Sequence, residues 1–316
     1  MPKMFRFRSA SRSGPRSSLY AASLVAIVLC FLSGMPLAQA ADTSGLTPEV
    51  AKLLPSDLAG SLHNTLPSGF KNKTTFVMAT DATIGKPIAW ISADLTLKGV
   101  AVDVADALGY VLGVKVHAVN TPFDDMIPSL QSGRADFSAS DMLDTKKRET
   151  VVDFVDYLID GSSILVASDS KLHDLTLAQM CGLTAGAIRG SVEEGYLEKQ
   201  TAACKTEHKP ALTVNVYQGN DAMLLALVSG RADVIMGASA QLAFIQQNSH
   251  GDAKQGGPPV GVAVDGITTL KGNGLATSIQ QALQKLMDAG VYQKILLLYG
   301  MQPNGLPEAT LNHASY

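Results

Sequence analysis

Arg148 is the residue whose chemistry stands out first, closing the run Asp144-Thr145-Lys146-Lys147-Arg148. A planar guanidinium can grip a carboxylate through two parallel, charge-assisted hydrogen bonds. Thr145 can cap the turn, and the free N–H groups of a helix start favour an anion. Taken by itself, Lys146-Lys147-Arg148-Glu149 reads as a charged, solvated turn. Gly190-Ser191 gives a second anion-favouring signal. The glycine lets the backbone approach closely, and the serine marks a helix N-terminus, where it can be a simple cap as well as a ligand contact. Asp141 lies on the segment leading to Arg148, with Ser140 beside it. An aspartate there can face a ligand or make a local turn bond.

These residues need a frame, and the chain supplies alternating patterns. Strand-like stretches fall at 75–80, 114–119, 135–139, 164–167, 183–187, 212–216 and 233–236. Helical spacing falls at 100–112, 123–132, 175–180, 221–229, 274–289 and 292–299, with a further helix starting at 191 and a single turn at 145–149. Strands separated by helices imply βαβ units and parallel sheet. Leu130-Gln131-Ser132-Gly133-Arg134-Ala135-Asp136 is echoed by Leu227-Val228-Ser229-Gly230-Arg231-Ala232-Asp233. Each is a helix end, a glycine cap and the start of a strand. A common turn used twice would produce this echo, and so would two similar lobes. Residues 41–73 read as a surface arm with a short helix at 49–54.

The first forty residues read as an export signal. Lys3, Arg6, Arg8, Arg12 and Arg16 precede an apolar run at 19–32, and Ala38-Gln39-Ala40 supplies a small-x-small cleavage pattern. That run is too short for a convincing membrane span. Without the five leader cations, 20 of the 25 Lys and Arg face 28 acids, a net charge near −8. No basic patch stands out, which argues against a nucleic-acid partner. With Cys30 assigned to the leader, Cys181 and Cys204 remain. In an oxidising compartment a disulfide is expected, and two thiols without a matched histidine pair argue only weakly for zinc.

Several stretches together resemble a known family. They are Gly99-Val100-Ala101-Val102-Asp103-Val104-Ala105-Asp106-Ala107-Leu108, Phe123-Asp124-Asp125-Met126-Ile127-Pro128-Ser129-Leu130, Asp144 to Arg148, and Val151-Val152-Asp153-Phe154. Gly190-Ser191-x-x-Glu194, the Gly230-Arg231-Ala232-Asp233 turn and Asp288-Ala289-Gly290-Val291-Tyr292 agree. In order and spacing they resemble the family 3 extracellular solute-binding proteins, the polar amino-acid receptors of ABC importers. The resemblance implies a two-lobed α/β fold of the periplasmic-binding-protein type II class, each lobe a mainly parallel sheet flanked by helices, with the ligand cleft between. It implies lobes of 74–166 plus 266–305 and of 167–265, crossing segments near Ala167 and Val264, and a tail at 306–316. It also implies a periplasmic monomer that hands a small amino-acid-like or carboxylate-bearing solute to an inner-membrane permease, with no cofactor or metal.

The same resemblance gives Arg148 and Thr145 to the ligand carboxylate, with Gly190 and Ser191 gripping from the second lobe. Phe123 becomes an aromatic wall, Trp90 a neighbour of the cleft, and Asp81 a contact for the ligand's distal end. Three positions depart from the family pattern. Ile84 stands where an aromatic residue is usual, Leu143 where a hydroxyl donates, and Ala238 where an acid binds the α-ammonium. A buried ammonium without a counter-charge is costly. Asp141 is the candidate replacement. Two other functions share this scaffold. A prephenate or arogenate dehydratase would need a general acid, for which Asp141, Glu193 and Glu194 are available. A sensory subunit docking on a membrane receptor would have the same ligand-binding half.

Overall fold

The structure, a computed structural model, describes residues 46–314. The expected leader at 1–40 lies outside the described residues, as do Ser315 and Tyr316. The first described element is α1 (Pro48–Leu53), whose N-cap Thr47 accepts from Val50 N at 3.4 Å with proline at the first helical position. The arm that follows is tied down: Gly60 N and Leu62 N donate to Tyr110 O and Val111 O, and Leu58 and Leu66 are buried.

The first lobe continues through β1 (Thr75–Thr80), the hairpin β2 (Trp90–Ile91) and β3 (Leu97–Lys98), α2 (Val100–Leu112), β4 (Lys115–Asn120), α3 (Met126–Gln131) and β5 (Phe137–Ser138). The long strand β6 (Val152–Ala167) leads to the second lobe. There follow β7 (Thr184–Ile188), α4 (Val192–Thr206), β8 (Thr213–Tyr217), α5 (Asn220–Val228), β9 (Val234–Ala238), α6 (Ser239–Asn248) and β10 (Ala253–Gln255). Strand β11 (Val260–Leu270) returns to the first lobe, which α7 (Leu275–Asp288) and α8 (Val291–Leu298) complete.

One mixed sheet runs in the order β4-β1-β5-β11-β6-β9-β7-β8, with β10 also on β6. Its outer pairs, β1 with β4 and β5 and β7 with β8 and β9, are parallel, as βαβ connections require. Its centre is antiparallel, because β6 and β11 carry the chain out and back. At one end β11 pairs with β5 through Thr268 and Thr269. At the other, β6 pairs with β9 through Ser162–Val166. The expected helix at 123–132 is a 3-10 turn running into α3, and the one at 175–180 is the 3-10 segment Leu177–Met180. The sequence patterns omit residues 152–163 of β6, all of β10 and β11, and α6.

The echoed turns superpose in their hydrogen bonds. In the first lobe Asp136 N donates to Val77 O, while the Asp136 carboxylate accepts from Val77 N at 3.0 Å. In the second, Asp233 N donates to Thr184 O, and its carboxylate accepts from Thr184 N at 2.8 Å. Both arginines fold onto a serine two residues back, Arg134 Nε to Ser132 Oγ and Arg231 Nε to Ser229 Oγ. Gly133 and Gly230 each have φ +70°, which a side chain would resist. The register continues: Phe137 lies beside Met78, and Val234 beside Ala185. Counted along the chain from the two turns, Asp141 matches Ala238, although β5 ends at Ser138 and its pairing with β11 shifts by two residues before Leu143, whereas β9 stays in register with β6 as far as Ala238.

Cys181 and Cys204 form a disulfide with Cα atoms 5.6 Å apart, joining the end of the Leu177–Met180 turn to α4.

Candidate ligand-binding site

Both lobes contribute to one small cavity of about 20 Å³. That is room for about one water molecule, so the lobes must part before a solute can enter. Phe123, Asp141, Leu143 and Arg148 line it from the first lobe, and Ser191, Glu193 and Gln241 from the second. The three departures named above, Ile84, Leu143 and Ala238, all belong to its wall.

Arg148 begins a 3-10 turn, and its backbone N–H donates to Thr145 Oγ1 at 3.2 Å. Its guanidinium donates to Leu143 O at 2.8 Å within the first lobe and to Gly190 O at 3.0 Å across the cleft. The same head group lies 5.7 Å from the centre of the Phe123 ring, within cation–π range. Burial lowers the guanidinium pKa, opposed by Glu193, Asp265, Asp141 and Asp144. Gly190 can come this close because it has no side chain, since a Cβ there would sit 3.0 Å from Asp124 Cβ. Ser191 caps α4, accepting from Glu194 N at 3.2 Å, and also lines the cavity.

Asp141 is buried at 8% exposure. It accepts from Ser140 Oγ at 2.9 Å and, across the cleft, from Gln241 Nε2 at 2.8 Å. Burial pushes its pKa up to about 6 against the Ser140 hydrogen bond, and Glu193 and Asp81 raise it further. The Ser140 carbonyl accepts from Tyr157 Oη at 2.7 Å, fixing this segment to β6.

Asp81 and Trp90 stand apart from this cavity. The Asp81 carboxylate accepts from Thr83 N, Thr83 Oγ1 and Phe123 N, so it orients the Phe123 wall through the backbone. Trp90 packs edge-on against Tyr299 at 6.1 Å and lines a wider groove of about 680 Å³, which shares Ile84 and Asn220 with the cavity. Between groove and cavity the lobes are latched by Thr83 Oγ1 donating to Gln218 O at 2.6 Å and Asn220 Nδ2 donating to Ile84 O at 2.6 Å.

Sequence reasoning missed Gln241 and Asn220 and gave Glu193 only an enzymatic role. Glu193 is 3% exposed and accepts from Ser162 Oγ at 2.5 Å. Its position two residues after a helix-capping serine is a signal that could have been followed. Behind the cavity, Asp160 accepts from Gly161 N and, at the start of α6, from Ala240 N. Asp265 is fully buried, and neither of its carboxylate oxygens has a hydrogen-bond partner. Burial raises the pKa values of both acids, helped by the Asp141 charge at Asp160 and by the Asp160 charge at Asp265.

Comparison with known proteins agrees with this architecture. Residues 76–302 match the family model described as bacterial extracellular solute-binding proteins, family 3. The chain belongs to that family. This solute-binding protein is 29% identical over 227 residues to the arginine-binding protein ArgT of Corynebacterium glutamicum, covering 72% of this chain and 74% of that one. It is 26% identical over 230 residues to the histidine-binding periplasmic protein of Salmonella typhimurium, covering 70% and 86%. Among solved structures, an ancestral arginine-binding protein bound to arginine aligns with a TM-score of 0.66 at 29% identity, covering 72% of this chain and 98% of that one. The family and these relatives are binding proteins, and among the described residues of this member no helix is long and apolar enough to cross a membrane.

Proposed function

We propose that this chain is the periplasmic substrate-binding subunit of an ABC importer and captures an amino acid or a related carboxylate-bearing solute by lobe closure. Its role is capture and delivery to an inner-membrane permease, not catalysis. It works as a monomer after removal of its leader near Ala40. The observation that carries this reading is the Arg148 guanidinium, which bonds carbonyls of both lobes beside a shared cavity. A ligand carboxylate is a stronger, charge-assisted acceptor than either carbonyl, so it can exchange for them while keeping Arg148 as the clasp. Phe123 and Ile84 offer apolar walls, and Ser191 with the start of α4 favours negative charge.

For the lobes, we shift the crossing on β6 from the expected Ala167 to 159–162, so that residues 163–166, which pair with β9, join 167–265 in the second lobe, against 74–158 plus 266–305 in the first. Support for this crossing comes from the exchange of strand partners near Ser162. A thermal-shift screen of the leaderless protein tests the function, using the common amino acids, polyamines, betaines and keto acids. A true ligand at a hundred times its Kd should stabilise the native state by about 2.7 kcal/mol. Absence of any stabilising solute sinks the reading.

A further inference from the structure

We propose that Asp141 of the first lobe, with Glu193 and Gln241 of the second, forms a divided site for a primary ammonium group. The inference rests on the solute-binding reading above and names the chemical class that this cavity selects.

Three observations lead there. First, all three side chains line the same cavity and are buried, at 8%, 3% and 1% exposure. Second, Gln241 has an unmet acceptor. Its Nε2 must face Asp141, because the opposite amide orientation would set an oxygen against a carboxylate. Its buried Oε1 is then left without a hydrogen-bond partner. A buried acceptor is costly until a donor reaches it. Third, the charges do not balance. Among the cavity-lining residues Arg148 is the one cation, set against the carboxyl groups of Asp141 and Glu193. A solute bringing only a carboxylate would deepen that excess, whereas one bringing a cation relieves it.

A primary ammonium carries three donors and a compact charge. The three side chains offer it two carboxylates and one amide oxygen. Because these acceptors come from both lobes, the site is whole only when the lobes are together, so binding the cation and closing become one event. Arg148 remains available to the solute's carboxylate.

The experiment measures binding by calorimetry to the leaderless wild-type protein and to E193Q and Q241L. Probes are L-arginine, L-lysine, L-histidine and L-glutamine, against glycine betaine and carnitine, which lack an N–H, and succinate and phenylpyruvate, which lack nitrogen. In E193Q an amide oxygen remains to accept from Ser162, so this variant should fold normally. Ligand-free melting checks both variants. The expected result is wild-type binding of at least one primary amine, weakened about tenfold or more in each variant. Wild-type affinity for that amine in either variant overturns the proposal. So does binding restricted to betaine, carnitine, succinate or phenylpyruvate, although solute capture then stands. Binding of none of these probes removes the solute-binding reading and this inference with it.

Discussion

The two Gly-Arg-Ala-Asp turns are built alike, yet the strands that leave them end differently. Five residues after Asp136 the chain reaches Asp141, and five after Asp233 it reaches Ala238, both on the cavity wall. The frame therefore holds its geometry through backbone and turn residues while the residue it delivers to the cleft is free to vary. In this chain the first lobe delivers the carboxylate, and the second delivers a methyl group. Charge in such a cleft can change sides without changing the fold.

The largest expected effect tests the lobes as scaffolds. The second contains the disulfide, and the first relies on its N-terminal arm. Removing the bridge with C181S/C204S should cost about 3 kcal/mol for a loop of 23 residues, read from denaturant melts. An unchanged midpoint would mean that the second lobe does not depend on its staple. The next effect addresses the delivered residue. Asp141→Asn should weaken amino-acid binding by about tenfold to a hundredfold. Adding Ala238→Asp should recover part of that loss if the two positions are interchangeable. Calorimetry showing no recovery would break the equivalence.

Smaller effects separate the turns themselves. Asp136 is buried and also pairs with Lys73 at 2.5 Å, whereas Asp233 is exposed. Asp136→Asn should therefore destabilise by about 1–3 kcal/mol, and Asp233→Asn by less than about 1 kcal/mol, in matched melts. Equal losses would argue that burial adds nothing to the clamp.

The smallest effect is a pH slope. Asp141 rises from an ordinary 3.8 to about 6 on burial. Its folded form thus favours the proton, so its contribution to stability is full below about pH 4 and is lost as the pH climbs through 6. Glu193, Asp81, Asp160, Asp265 and Arg148 all act on it, and Asp144, pushed up to about 8 by burial and Asp156, extends the slope upward. Melting of the free protein should fall from pH 4 to 8, less so in Asp141→Asn, while amine affinity should rise over the same range. A wild-type slope in the variant would take Asp141 out of this account.

Much of the frame was legible because its signals are local. Helical spacing marked α2 and α7, and the glycine caps marked both turns. The crossing strands were not, because β6 carries Asp153, Asp156 and Asp160, and β11 follows Pro258-Pro259 and contains Gly261 and Gly266. Acids, prolines and glycines read as loop until long-range pairing gives them partners. Arg148 and Phe123 could be located from motifs. Gln241 could not, since its helix lacks an apolar stripe and its importance comes from a partner a hundred residues away, Asp141.

One consequence follows from the place where β6 and β11 pass beside each other at Gly161 and Gly261. A Cβ at 161 would collide with the carbonyl of Gly261. On the far edge of β6, the closing segment holds the strand only up to Ile159, through Asn304, and β9 takes over from Ser162. Within that interval Gly161 and Gly261 leave the backbone bare where the two strands pass. On the lobe division proposed above, closure would turn on those backbone atoms, set apart from the side chains that line the cavity.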